Sequence, residues 1–130
     1  MAKLTDDMKK LMSNHQVFIA TASLDGTPNI APKGSTHVLD DENIVYFELT
    51  GGRTWTNLQK NPMLAIAVTD RKTMQGYRFT GRAEFVTTGE LYENAKKLAE
   101  MLKIPVPPKA AIKMKVEEIY DLGKGGQKVA

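Results

Sequence analysis

A chain of 130 residues, 42% apolar and 25% charged, has room for a single domain around one β-rich core. It holds no cysteine, which excludes disulfides, thiolate metal sites and cysteine nucleophiles and points to a reducing cytoplasm. The net charge of +3 comes from the last third, where residues 94–130 carry 8 Lys/Arg against 4 Asp/Glu and residues 1–93 carry 10 against 11. There the lysines alternate with apolar residues (Lys113, Lys115 beside Ile112, Met114, Val116), the pattern of a strand with one wet face. A nucleic-acid-binding barrel would set stacking aromatics beside those lysines, and after the last helical pattern only Tyr120 is at hand. Nucleic acid is therefore not an expected partner. Nor is a membrane, since the longest apolar run, Met63 to Val68, falls well short of the roughly 20 residues of a span. The first residues lack the apolar core of a signal peptide.

Leu4, Met8, Leu11 and Met12 recur at helical spacing after Thr5, with Asp6 and Asp7 in the first turn, where the helix dipole favours them. Val17 to Ser23 reads as a strand buried on both faces, and Asp25-Gly26 as a tight turn. Short strands follow at Thr27–Ala31 and Ser35–Leu39, with a bend or bulge at Pro32 and Gly34. After the polar turn 40–43, Ile44 to Leu49 is a strand. Gly51-Gly52 breaks it, Thr54 can cap a two-turn helix, and Asn61-Pro62 ends that helix. Met63 to Asp70 is another buried strand, and 77–85 alternates with period two around Gly81, where a closing barrel needs a bend. Thr87 and Glu90 have capping-box spacing ahead of an amphipathic helix through Leu91, Ala95, Leu98 and Leu102. A proline-rich connector leads to the last strand, Lys109 to Ile119, and residues 121–130 are expected to form a flexible tail unless a partner orders them. Many short strands without βαβ alternation predict a mainly β antiparallel barrel with helices at its edges, one domain over residues 1–130.

Two segments have the wrong composition for plain strands. Pro32-Lys33-Gly34-Ser35-Thr36 combines a cation, a backbone open to close approach and two hydroxyls. Gly51-Gly52-Arg53-Thr54 opens a helix, whose N-terminus offers free N–H groups and a positive dipole end beside an arginine fork. Together they fit a phosphate-bearing ligand. They also fit a bulge and a capped helix that carry exposed basic residues. His15 and His37, the only histidines, lie at no metal-ligand spacing, and Glu117 and Glu118 point to opposite faces of their strand. Neither metal ligation nor a shared-proton carboxylate pair is expected. Trp55, Tyr46 and Tyr77 read first as barrel packing, and no catalytic constellation emerges.

The ordered run Phe18-Ile19-Ala20-Thr21-Ala22, Asp25-Gly26-Thr27-Pro28-Asn29, Pro32-Lys33-Gly34-Ser35, Val38-Leu39-Asp40-Asp41, Tyr46-Phe47, Arg53-Thr54-x-x-Asn57-Leu58-x-x-Asn61-Pro62 and Gly81-Arg82-Ala83-Glu84 resembles the pyridoxamine 5′-phosphate oxidase-like family of FMN-binding split barrels, in particular its short single-domain members. The ending 112–120 is similar to theirs as well. The resemblance implies a six-stranded antiparallel split barrel, a homodimer and FMN at the subunit interface. It also implies cofactor-binding roles for Pro32, Lys33, Gly34 and Ser35, for Glu48 and Leu49 beside the flavin, and for Arg53, Thr54 and Asn57 at the phosphate. The family's C-terminal substrate-binding signature is absent, which speaks against oxidation of pyridoxamine phosphate itself. The expected activity is an FMN-dependent oxidoreductase, with NAD(P)H or a protein as electron donor. An electron-transfer or flavin-holding protein is the alternative, and some related barrels hold a deazaflavin or haem.

Overall fold

The computed structural model describes residues 2–130. The first helix, α1 (Asp6–Asn14), starts where a capping residue meets an apolar stripe. Thr5 accepts from the Met8 amide at 3.3 Å, and the Met8 sulfur accepts from the Thr5 amide at 3.4 Å. The acidic pair Asp6 and Asp7 fills the first turn, and Met8, Leu11 and Met12 are buried. Thr5→Ala is expected to cost about 1 kcal/mol in chemical denaturation, the worth of a lost N-cap.

Strands β1 (Val17–Ala22), β2 (Pro28–Pro32), β3 (His37–Val38) and β4 (Asn43–Glu48) precede helix α2 (Arg53–Lys60). Strands β5 (Met63–Asp70) and β6 (Gln75–Val86), helix α3 (Glu90–Met101) and strands β7 (Ala110–Asp121) and β8 (Gln127–Lys128) complete the chain. All strand pairs are antiparallel, in the order β2-β1-β5-β6-β7-β4-β3, with β8 added on β7. Six of the strands are long, as a six-stranded split barrel requires; β3 and β8 are two-residue additions.

The two ends of this order, β2 and β3, are joined by only residues 33–36. Four residues reach at most about 14 Å when extended, so the sheet must curl until its two edges lie close together. The barrel is thus split at Lys33-Gly34-Ser35-Thr36. Inside it, Ile19, Ile44, Tyr46, Leu58, Ile66, Phe79, Ile112, Met114 and Ile119 form the core, with essentially no exposed surface.

The bend expected at Gly81 is present: the register between β6 and β7 shifts between Thr80 and Gly81. Several local expectations need correction. The strand expected over Ser35–Leu39 shrinks to His37–Val38, because the Thr36 amide (3.1 Å) and hydroxyl (2.7 Å) both bind the Lys33 carbonyl and tie up a turn. The N-cap of α2 is Gly52 rather than Thr54, with φ +133° and no side-chain cap. Likewise α3 starts after Gly89 at φ +87°, so Thr87 forms no capping box. The expected tail over 121–130 folds back: a 3-10 turn at Leu122–Lys124 leads into β8, and the Val129 amide binds the Ile119 carbonyl at 2.9 Å. No described helix is long and apolar enough to cross a membrane.

Candidate functional site

Because the barrel is split at residues 33–36, the turn there faces the end of β4. The Phe47 amide donates to Ser35 Oγ at 2.9 Å, which extends the β3–β4 register and pins the turn to the end of β4. Alternation along β4 sends Tyr46 and Glu48 to the same side, both almost fully buried. The Tyr46 hydroxyl donates to Glu48 Oε1 at 3.2 Å, and Lys33 Nζ reaches Glu48 Oε2 at 3.4 Å while standing 5.6 Å from the Tyr46 ring centroid. Burial, and after it the Glu48 carboxylate, push the Tyr46 phenol well above its ordinary pKa, so it stays protonated and acts as a donor.

This polar node lies at one side of a cleft of about 400 Å³ lined by Pro32, Lys33, Gly34, Ser35, Phe47, Glu48, Leu49 and Thr50. The far wall is apolar: Leu98 and Leu102 of α3 and its C-cap, four residues apart, and Ile104 just beyond. The cleft therefore combines an apolar lining with one ion pair, the wall chemistry suited to an uncharged ring system.

Arg53 lies elsewhere. It lines a second cleft of about 400 Å³ with Thr56, Asn57 and Lys60 of α2 and with the turn Ser23-Leu24-Asp25. No side chain caps α2, so its first amides remain free beside the guanidinium. Thr54 and Asn57 are drawn inward: Asn29 Nδ2 donates to Thr54 Oγ1 and Asn57 Nδ2 donates to Thr21 Oγ1, both at 3.1 Å. They fasten α2 to β2 and β1. Within one chain, then, Pro32, Lys33, Gly34, Ser35, Glu48 and Leu49 come together, whereas Arg53 and Asn57 line a separate cleft and Thr54 lines neither.

A larger cleft, about 580 Å³, lies on the other side of the same turn and contains Lys9, His15, Lys33 and His37. His37 Nδ1 lies 2.8 Å from the Ser35 carbonyl, and His15 Nε2 lies 3.6 Å from Asp70. No group of three or more potential metal ligands occurs among the described residues. Sequence reasoning missed Lys60 and the Leu98–Leu102–Ile104 wall. Tyr46 read only as packing, although its i, i+2 relation to Glu48 on a buried strand signals a shared polar contact.

The family model for pyridoxamine 5′-phosphate oxidase matches residues 4–123. An uncharacterised protein of Methanocaldococcus jannaschii is 38% identical over 125 residues, covering 95% of this chain and 83% of that protein. The crystal structure of Group A Streptococcus HupZ superposes with a TM-score of 0.84 at 39% identity, covering 98% of this chain and 99% of that one. More distant structures share the fold alone. They include an FMN-binding protein of Syntrophomonas wolfei (16% identity, TM-score 0.74, 88% and 82% covered), an F420 reductase (19%, 0.66, 89% and 98%) and a haem-binding protein of Mycobacterium smegmatis (16%, 0.69, 93% and 54%).

Proposed function

The chain belongs to the pyridoxamine 5′-phosphate oxidase family, and from that premise we propose that it is a cytoplasmic FMN-binding oxidoreductase, active as a homodimer with the cofactor at the subunit interface. The carrying observation is the pairing of an apolar, charge-neutral cleft at Lys33–Ser35, Glu48 and Leu49 with a cationic cleft at Arg53. FMN has these two ends: a flat uncharged ring and a phosphate dianion. In this reading the ring lies against the first cleft, and the phosphate takes the Arg53 guanidinium and the free amides of α2.

When bound, the flavin supplies hydride or electron chemistry. The chain binds and orients it. Ser35 and Thr36 hold the turn, Leu98, Leu102 and Ile104 give the ring an apolar wall, and Tyr46 keeps its proton at the hydroxyl. No acid–base pair is needed for such a role. The electron donor in this reading is NAD(P)H or a protein. The residues lining the clefts also suit F420, a deazaflavin with an anionic tail, so cofactor choice belongs to the same test.

The dimer draws support from the outer sheet face. Phe18, Ala20, Ala65, Ala67, Met63 and Ile30 share a face that no described helix covers, with Ile30 66% exposed. Ala65→Arg, which leaves the core side of β5 untouched, is expected to convert a dimer to monomer in light scattering; a wild-type monomer would overturn the dimer reading.

The deciding experiment is the visible spectrum of the purified protein and of protein titrated with FMN, F420 and haem. Flavin bands with saturable FMN uptake support the reading, and failure to take up FMN sinks it. Turnover of NAD(P)H with an acceptor then separates an enzyme from an electron-transfer or flavin-holding protein.

A further inference from the structure

Among the described residues Lys33 pairs with one carboxylate, that of Glu48. Of the other groups around the neighbouring cleft, Lys9 pairs with Asp41 and His15 lies beside Asp70, while His37 binds the Ser35 carbonyl. Glu48 is 2% exposed, and both its oxygens are engaged, one by Tyr46 and one by Lys33. Its backbone is also fixed: the Glu48 carbonyl accepts from the Lys109 amide at 2.8 Å, at the start of β7. Burying a carboxylate costs several kcal/mol unless it is paired and hydrogen-bonded, so the ammonium has a strong reason to stay on it. Lys33, by contrast, is partly exposed and lines the cleft.

We propose that Glu48 is a positioning residue of the ring cleft: its buried carboxylate holds the Lys33 ammonium at the cleft wall and cancels its charge, so a bound flavin meets a neutral surface. The inference rests on the flavin reading above. Reduction places negative charge on the flavin ring, and an unpaired cation beside it would favour the reduced form. The Glu48–Lys33 pair withholds that bias and keeps the potential of the bound flavin low. Glu48→Gln keeps an oxygen for the Tyr46 hydroxyl, removes the charge and frees the ammonium.

The test is the midpoint potential of FMN bound to wild type, E48Q, K33M and the double variant K33M/E48Q, with dissociation constants for oxidised and reduced FMN. The expected result for E48Q is a positive shift, equivalent to about tenfold tighter binding of reduced relative to oxidised FMN. K33M is expected to shift the opposite way and the double variant to return close to wild type. A structural role alone would lower the melting temperature of the variants without this opposed pattern. Equal potentials for E48Q and wild type, both loaded with FMN, overturn the inference and leave the flavin reading intact. Wild type that binds no FMN overturns the reading itself. Should E48Q not fold, the double variant, which carries no unpaired charge, is compared with K33M. A more positive potential in the double variant supports the inference, and equal potentials overturn it.

Discussion

Arg53→Ala is expected to weaken FMN binding about 30-fold while leaving riboflavin binding within about twofold. A charge-assisted hydrogen bond from a guanidinium contributes roughly 1.5–3 kcal/mol, and this one acts on a group that riboflavin lacks. Arg53 is the cation at the free end of α2, and no acidic side chain forms an ion pair with it among the described residues. Lys33 differs. Composition puts both basic residues forward for the phosphate, but the structure ties Lys33 to a buried carboxylate. Lys33→Met is accordingly expected to change FMN and riboflavin affinity by the same factor. Flavin-fluorescence titrations of both variants with both ligands check the pair of expectations. Equal losses for FMN and riboflavin in Arg53→Ala would remove Arg53 from the phosphate. The effect should also shrink as salt is added, because the Arg53 cleft is open to solvent.

Gly81→Ala is expected to destabilise the fold by about 3 kcal/mol, the upper range for overpacking. A Cβ at this position would stand 2.3 Å from the Lys115 carbonyl oxygen and 2.8 Å from Met114 Cγ. The first neighbour is backbone of the adjacent strand and cannot rotate away. Relief would require β6 and β7 to part at the bulge where their register shifts. These two long strands form the spine of the sheet, so the loss reaches the whole barrel. Gly34→Ala makes the contrast, since a Cβ there meets nothing within 4 Å; its stability is expected to stay within about 0.5 kcal/mol of wild type. Urea denaturation of the two variants measures the difference, and a Gly81→Ala midpoint equal to that of Gly34→Ala would discount the contact.

The elements whose signals are local are legible along the chain. Apolar periodicity and turn residues located the long strands, the amphipathic helices α1 and α3 and the helix stop at Asn61-Pro62. Gly81 declared a bend because nothing else explains a glycine inside a strong period-two pattern. The order and spacing of whole segments, from Phe18-Ile19 to Gly81-Arg82, carried the family. Helix starts were less legible at Thr54 and Thr87. A hydroxyl residue at capping spacing competes with a glycine whose positive φ turns the chain into the helix, and tertiary packing decides between them. The folding back of 125–130 depended on the edge presented by β7, which local composition does not report.

The division of labour among the basic residues comes from the fold. Lys33 and Arg53 look alike in composition, each a cation beside glycine and hydroxyl groups. Glu48 is fifteen residues from Lys33 in the chain, and the pairing arises because the antiparallel register of β3 and β4 carries the 33–36 turn back beside the end of β4. Burial then makes that pairing obligatory, since a carboxylate held away from water must find a cation and a hydroxyl. Charge and glycine content can be read along a chain, but the partner that neutralises a charge is chosen by the fold.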